Sequence, residues 1–550
     1  MDSCLTQQIP ISMPPWRKYS GVPKIPGYTD VTSLTPILSR FFGSMPAYEG
    51  QIHSDNLFGR IVEFEGGGSC VVEMVGKKRR KAFCKVSHLL DPIRTIQSYY
   101  SDPAKGERRR NDKLQNPTNQ AFVDELANYL LGQLRERKIS PHFCQFYGGF
   151  QAVADKYRYN ITSEFESYRK YKIFWERKRK GIFNIHIENE GSDDDSWLGH
   201  TPDSSLRSTS FHYSTPRSGG STASHISLDD LKTEANLVEL ESIHSMETAE
   251  TRHESAHSEG SEGSGETSGS GSDEGSNVFI ELNNYPVMLI FQEEMEGVLD
   301  SMLEDEDGEL VGAEFGSAEW EARWTAWTFQ IIAALCAAQG TLGFTHNDLH
   351  TNNIVWKETE ESWLFYKTRD GTTWRVPTYG KIFCLIDFGR SIFRVNETWF
   401  ISDDYEPGGD AEGQYNFDRL TKANKPLVYP NPSFDLCRYA VSVLDALYPE
   451  QPTELLEGVV ISREGDWVIR ETESPFWNLL WSWLLDDNGR NVLREEDGEE
   501  RFPDFDLYQH ISHKVHGCKP QDQIHRDIFS SYKISAKDVG DWETVYPLFC

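Results

Sequence analysis

Two short motifs carry most of the information in this chain: His346-Asn347-Asp348-Leu349-His350-Thr351-Asn352-Asn353 and, further on, Leu385-Ile386-Asp387-Phe388-Gly389. They have the patterns H-x-D-L-x-x-x-N and D-F-G. They offer a carboxylate that can accept a hydroxyl proton, with an amide and a second carboxylate that can hold Mg²⁺. Asp and Asn are also common turn formers, but turn formation does not predict a second motif behind an apolar strand. The pair of motifs therefore indicates phosphoryl transfer.

The motifs resemble those of the protein kinase superfamily, in a divergent form like that of large DNA viruses and some lower eukaryotes. The resemblance implies that Asp348 accepts the proton of the acceptor hydroxyl, and that Asn353 and Asp387 hold the metal. It also implies an α+β, bilobal fold, with a small antiparallel β-sheet lobe and a larger, mainly helical lobe. ATP and Mg²⁺ would bind between the lobes.

The residues around the motifs fit this fold. Strands are predicted at 353–356 and 381–386, and a hairpin with the turn Asp370-Gly371 is predicted to be inserted between them, at about 357–380. A helix that ends near Gly340 and Gly343 precedes the first motif. Its buried face is predicted from apolar residues at helical spacing, namely Trp320, Trp324, Trp327, Ile331 and Leu335.

A kinase also needs a lysine for the α- and β-phosphates and a helical carboxylate that orients it. The strand Lys81-Ala82-Phe83-Cys84-Lys85-Val86 resembles the lysine strand of the family, which makes Lys85 the candidate. The alternative is one more surface lysine. In the amphipathic helix that follows residue 119, Glu125 is the chosen partner and Asp124 a poorer substitute. Alternatively, Glu125 is a solvated helix carboxylate.

Two further segments are assigned to ATP. The hairpin at 60–74 contains Gly66, Gly67 and Gly68, which could let the backbone approach phosphates. The G-x-G-x-x-G pattern is absent, so a glycine-rich turn explains them equally well. Residues 285–297 resemble the fifth strand and hinge of kinases. In that comparison Gln292 is the gatekeeper, and backbone groups of Glu293 and Met295 meet the adenine.

The 550 residues form one predicted bilobal unit from about residue 46. Residues 1–45 are an N-terminal extension, 46–296 the N-lobe and 297–550 the C-lobe. A Ser-, Gly- and Glu-rich insertion at about 188–277 interrupts the N-lobe, and it is predicted to be disordered because it cannot bury enough apolar surface. Asp435, in a segment that resembles another kinase helix, is expected to anchor the catalytic loop. No A-P-E motif is found.

Charge and cysteine content limit the partners. A formal net charge of -31 and a pI near 4.9 give no electrostatic case for nucleic-acid binding. The basic run at 169–180 could be a docking or nuclear-localisation element, although such runs are commonly solvated faces. The acidic insertion could also bind a partner. No membrane segment or signal peptide is evident, and nine scattered cysteines predict reduced thiols in an intracellular protein, cytoplasmic or nuclear.

Two departures from the family bear on function. In many protein kinases an arginine before the catalytic aspartate pairs with a phosphate on the activation loop. Asn347 stands at that position here, so we expect activity without phosphorylation of the loop. His350 replaces the lysine of Ser/Thr kinases, which predicts modest turnover. The expected function is ATP-dependent transfer to a protein hydroxyl, of Ser or Thr. The alternatives are a small-molecule kinase of the aminoglycoside or choline type, which shares H-x-D-L-H-x-x-N, and a pseudokinase scaffold.

Overall fold

The computed structural model is a mixed α+β protein with an antiparallel sheet, as the sequence predicts at this level. It describes residues 24–32, 35–37, 58–74, 76–189, 276–303, 309–395, 398–415, 430–448, 460–463, 466–469, 474–495, 499–540 and 543–549. Residues 190–275 of the predicted insertion lie outside these ranges, so its predicted disorder is not addressed by them. Most of the predicted N-terminal extension also lies outside them, but residues 28–32 of that extension form a strand of the sheet described next.

Seven antiparallel strands of the described N-terminal part form one sheet. The strand order is β1-β5-β7-β4-β3-β2, with β6 paired to β7. Burial alternates along β3, whereas Val287 to Phe291 of β7 are completely buried, because β7 lies at the centre of the sheet. The strands are β1 (Tyr28–Thr32), β2 (Phe58–Gly66), β3 (Ser69–Met74), β4 (Arg79–His88), β5 (Phe146–Asn160), β6 (Asn184–Asn189) and β7 (Ser276–Glu293).

Five helices accompany this sheet in the described ranges, and the third carries part of the candidate site. Its N-terminus is capped by the Asn119 side chain, which accepts from the N–H of Ala121. The apolar face predicted from Phe122, Leu126, Tyr129 and Leu130 is buried, as expected. The helices are α1 (Pro92–Ile96), α2 (Gly106–Leu114), α3 (Gln120–Glu136), α4 (Thr162–Tyr168) and α5 (Lys172–Arg179).

A long buried helix organises the C-terminal part. The predicted tryptophan face of α7 is buried, and the helix ends at Gly343, whose φ of 57° provides the left-handed cap for which glycine is suited. None of the helices in the described ranges is long and apolar enough to cross a membrane. The helices are α6 (Asp300–Leu303), α7 (Ala318–Leu342), α8 (Phe434–Leu447), α9 (Pro475–Trp483), α10 (Asp506–Lys514) and α11 (Pro520–Gln523).

The predicted strands on either side of the hairpin are present and pair with each other, and β8 extends them. The predicted hairpin itself forms about Asp370-Gly371 and joins a second sheet. Sequence inspection missed its outer strands: β17 pairs with β11, and β18 runs parallel to β10. These strands are β8 (Gly297–Val298), β9 (Ile354–Glu358), β10 (Trp363–Lys367), β11 (Thr373–Pro377), β12 (Lys381–Leu385), β17 (Lys533–Ile534) and β18 (Val545–Pro547).

Short hairpins complete the described structure, and buried residues form two large apolar clusters. One cluster lies mainly on one side of the seven-stranded sheet, and the other joins α3 to α7, α8 and α9. The described cysteines are buried thiols that form no disulfide with one another. The remaining strands are β13 (Phe393–Val395), β14 (Thr398–Phe400), β15 (Val460–Arg463) and β16 (Asp466–Ile469).

Candidate active site

Lys85 joins three separate parts of the chain. It lies on β4, and its Nζ is 2.6 Å from Oδ2 of Asp124 on α3 and 2.8 Å from Oδ1 of Asp387 after β12. Burial opposes the charge of Lys85, but the two carboxylates outweigh it and raise its pKa. Burial also opposes the charge of Asp387, and the ion pair with Lys85 nevertheless lowers the pKa of that carboxyl. Two of the predicted site residues, Lys85 and Asp387, are thus in direct contact.

The carboxylate that meets Lys85 belongs to Asp124, which corrects the predicted pairing with Glu125. Asp124 also accepts from the N–H of Phe388 at 2.8 Å, so it contacts the D-F-G motif as well as the lysine. Neighbouring residues of a helix point about 100° apart. An amphipathic pattern does not fix helix rotation finely enough to choose between them.

Glu125 is buried elsewhere, with 1% of its surface exposed. It packs against Gly149 of β5, where a Cβ would overlap its carboxylate. Neither carboxylate oxygen has a partner of good hydrogen-bond geometry in the described part of the chain. Burial raises the pKa of Glu125 to about 8, Thr35 opposes that rise and Asp124 adds to it. This residue is therefore neither the lysine partner nor the solvated carboxylate considered from the sequence.

Asp348 is buried and has charged and polar neighbours from three other segments. Tyr508 Oη of α10 donates to its Oδ1 at 2.8 Å, and Arg390 Nη1 lies 3.7 Å from its Oδ2. Burial would raise the pKa of Asp348, but Arg390, His350, Arg438 and the Tyr508 hydrogen bond lower it to about 2. The carboxylate is therefore ionised at neutral pH and can accept a proton or a hydrogen bond.

The loop that carries Asp348 is held at its base by Asp435, as expected from the sequence. The two carboxylate oxygens of Asp435, on α8, accept from the N–H groups of His346 and Asn347, each at 2.9 Å. The ring Nε2 of His346 lies 2.8 Å from the carbonyl oxygen of Ile386. These contacts join the two sequence motifs, so the positions of Asp348 and Asp387 are set relative to each other.

Asn353 is oriented by its amide hydrogens. Its Nδ2 donates to the carbonyl of Asp348 at 2.9 Å and lies 3.1 Å from Nε2 of His350. Burial lowers the pKa of His350 to about 4, so the imidazole is neutral at pH 7 and can accept this bond. With both hydrogens used, Oδ1 is the atom of Asn353 that is suited to a metal.

The donor set of Asn353 and Asp387 fits Mg²⁺. Magnesium prefers oxygen and is commonly held by few protein ligands, with phosphates and water completing its coordination. Asn353 offers an amide oxygen, and Asp387 keeps Oδ2 while Oδ1 pairs with Lys85. Among the described residues, no group of three or more His, Cys, Asp or Glu is arranged to hold a metal ion. A site completed by nucleotide phosphates suits this chemistry.

The three glycines form the predicted hairpin turn between β2 and β3. Gly66 pairs with Ser69, and Gly67 and Gly68 have φ angles of 55° and 88°, which glycine adopts without strain. The Gly68 carbonyl accepts from the N–H of Cys84 at 2.8 Å, one residue before Lys85. The tip of the turn is thus adjacent to the lysine strand. The turn geometry alone accounts for these glycines.

The segment expected to meet adenine follows the centre of the sheet. Gln292 is buried in β7 between Phe83 and Phe146. The N–H of Glu293 already donates to the carbonyl of Gln145 at 2.8 Å, and its side chain pairs with Lys357. Because this N–H is already used, adenine could meet the backbone of Glu293 only through its carbonyl. Met295 follows outside the strand, where its N–H makes no backbone hydrogen bond to another described residue.

The segment after β14 is joined to the helices of the sheet by Asp403. Its carboxylate accepts from Lys113 Nζ at 2.6 Å, from Asn116 Nδ2 at 3.0 Å and from the N–H of Gln120 at 3.2 Å. Gln120 is the first residue of α3, the helix of Asp124. Asp403 therefore holds the N-terminus of that helix, where a negative charge is favourable.

Models of known protein families and curated proteins were both compared with this chain, and neither comparison finds a match. Sequence inspection named Asp124 only as the poorer partner for Lys85, and it missed Arg390, Arg438 and Tyr508. Arg390 directly follows the D-F-G motif and could have been found from that position, whereas Tyr508 lies 160 residues from Asp348 in a segment without a motif.

Proposed function

We propose that this protein is an ATP-dependent protein kinase that transfers the γ-phosphoryl group of Mg-ATP to serine or threonine hydroxyls. The observation that carries the proposal is the convergence of Lys85, Asp387 and Asp348 from β4 and the two motifs. A lysine, a metal-binding carboxylate and an ionised acceptor carboxylate are the groups that phosphoryl transfer requires. The strand order of the seven-stranded sheet and the packing of α3 on it are compatible with a bilobal kinase fold.

Each group has a defined task in this reaction. Lys85, oriented by Asp124, would hold the α- and β-phosphates, and the peptide groups of Glu293 and Met295 would meet the adenine. Asn353 and Asp387 would hold Mg²⁺, which would supply positive charge to neutralise the phosphates. Asp348 would bind the acceptor hydroxyl and take its proton as the new oxygen–phosphorus bond forms. The bond from the γ-phosphorus to the β,γ-bridging oxygen breaks, and ADP leaves.

His350 is consistent with modest turnover. Its ring is neutral and its Nε2 faces Asn353, so it brings no cation to the γ-phosphate as a lysine would. The same residue favours the second candidate, a kinase that acts on small molecules, because the H-x-D-L-H-x-x-N loop is shared with those enzymes. The full D-F-G motif supports the protein substrate.

The test is incubation of the purified chain with Mg²⁺ and labelled ATP, in separate reactions with generic protein acceptors and with small amino alcohols. Asp348→Asn is run beside each reaction. We expect label on protein, lowered about 10²- to 10⁴-fold by the substitution because a general base contributes that much. Nucleotide affinity should be unchanged, since Asp348 acts in the chemical step.

The other results separate the alternatives. Label found only on amino alcohols would assign the second candidate function. Nucleotide binding without transfer to any acceptor would point to a scaffold. A matched loss of affinity and rate in Asp348→Asn would mean that this residue has a structural role.

A further inference from the structure

We propose that Tyr508 is a positioning residue for phosphoryl transfer, which holds one oxygen of Asp348 so that the other receives the acceptor hydroxyl. The inference rests on the proposed function and adds to it a residue from a helix that no sequence motif connects with the site. In this role Tyr508 orients the carboxylate of Asp348 and need not contact the nucleotide.

The direction of the hydrogen bonds is fixed by Arg438. Its Nε lies 2.9 Å from Tyr508 Oη, and the same Oη lies 2.8 Å from Asp348 Oδ1. A guanidinium can only donate, so the tyrosine oxygen accepts from Arg438 and its hydrogen is directed at Asp348. A continuous chain of donors therefore runs from α8 through α10 to the catalytic loop.

The ring of Tyr508 is held in place by packing. It is stacked with Phe505, with 5.5 Å between ring centroids, and lies 5.8 Å from the ring of Phe434 on α8. Only 5% of the residue is exposed. An alternative is that the Tyr508 hydroxyl occupies the place of the substrate hydroxyl and leaves when the substrate binds. That role would need a side chain that is free to move away. The packing of Tyr508 instead favours a permanent partner of the carboxylate.

A permanent hydrogen bond from Tyr508 to Oδ1 of Asp348 leaves Oδ2 as the oxygen for the acceptor hydroxyl. Arg390 Nη1 lies 3.7 Å from Oδ2, which is long for a hydrogen bond and leaves this oxygen able to accept one from a substrate. Without the Tyr508 hydroxyl, the carboxylate of Asp348 could rotate about its Cβ–Cγ bond. Since transfer depends on alignment of the acceptor oxygen, such rotation would slow the reaction without affecting ATP binding.

The experiment is a double-mutant cycle of Tyr508→Phe and Asp348→Asn, measured both for labelled phosphoryl transfer and for chemical unfolding. Tyr439→Phe is the matched control, because Tyr439 on α8 is buried and its hydroxyl bonds Thr328 of α7. We expect Tyr508→Phe to lower kcat about 10- to 100-fold, with the KM for ATP within about twofold. In the Asp348→Asn background the same change should have no further effect on kcat.

The control and the cycle separate the possible failures. Equal kcat values for Tyr508→Phe and Tyr439→Phe would overturn the positioning role. It would also be overturned if Tyr508→Phe lowered kcat by the same factor in the Asp348→Asn background as in the wild type. The kinase proposal would stand in both cases. A wild-type chain that transfers no phosphate to any acceptor overturns both. Unfolding measurements need no activity, and in them Asp348→Ala replaces Asp348→Asn, because asparagine could still accept from the Tyr508 hydroxyl. Additive losses for Tyr508→Phe and Asp348→Ala would mean that the Tyr508–Asp348 contact itself does not form.

Discussion

Lys85 pairs with Asp124 of α3, with 2.6 Å between Nζ and Oδ2. Both side chains are largely buried, and the aspartate also accepts from the backbone of the D-F-G motif. The position of α3 is thereby linked to that of Lys85 through one carboxylate. The neighbouring Glu125 takes no part in this contact, which makes the two residues a matched pair for experiments.

Asp124→Asn should weaken nucleotide binding and slow transfer, whereas Glu125→Gln should change neither by more than about threefold. Loss of a hydrogen-bonded charge within a buried group costs about 1–3 kcal/mol, or roughly 5- to 150-fold in affinity or rate. Glutamine is close in shape to the protonated form of Glu125. Titration with a fluorescent ATP analogue and the labelled-ATP assay would measure both effects. Equal losses in the two variants would contradict the assignment of Asp124.

Most elements of the site region could be predicted from sequence, because local periodicity determines them. The helix of Asp124, the strand of Lys85 and the hairpin about Gly371 are all formed by residues close in the chain. The choice between Asp124 and Glu125 depends on how α3 rotates against β5, which is a property of packing. The contact of Tyr508 with Asp348 joins residues that are far apart in the sequence, and no local sequence pattern predicts such a contact.

Asp403→Asn should destabilise the protein by about 1–3 kcal/mol and lower its transfer rate. The substitution removes the charge that Lys113 pairs with and weakens the hold on the N-terminus of α3, the helix that carries Asp124. Chemical unfolding and the labelled-ATP assay would measure the two effects. Asp112→Asn is the control, because Asp112 forms an exposed ion pair with Arg108 on α2.

The contacts of Asp403 with Lys113 and with the N-terminus of α3 add a reason to expect activity without loop phosphorylation. Asp403 supplies a fixed negative charge between the segment after β14 and α3, and Asn347 is bonded by the uncharged Tyr415 and Gln414 side chains. Treatment of the purified wild-type protein with phosphatase should therefore leave its rate unchanged. A large loss after that treatment would show that a covalent phosphate is needed.

His142 should make the fold sensitive to acid. Its Nδ1 lies 2.9 Å from the carbonyl oxygen of Phe383 and its Nε2 lies 2.8 Å from Tyr366 Oη, an arrangement suited to the neutral ring. Burial lowers the pKa of His142 to about 3, from 6.5 in the unfolded chain. Because the folded value is the lower one, the unfolded state binds the proton first. The contribution of His142 to the free energy of unfolding is fully present above pH 6.5 and is lost as the pH falls towards 3.

Each pH unit below 6.5 should remove about 1.4 kcal/mol through this one group. Denaturant unfolding of wild type and His142→Gln between pH 7.5 and 4.5 would measure it, and the other titrating groups cancel in the difference. We expect the variant to be less stable at pH 7.5 and the gap to narrow in acid. A constant gap across that range would exclude His142 as the acid-sensitive group.

Strands β6 and β7 pair up to Asn189 and Ser276, the residues that flank positions 190–275. The strands therefore extend two residues into the insertion expected from the sequence at each end, and they meet there as the two arms of an ordinary hairpin do. The sheet needs only that these two residues be connected, whatever the length of the connection. Evolution could accordingly lengthen, shorten or replace this stretch without altering the register of any strand, and an engineer could attach a reporter domain at the same place.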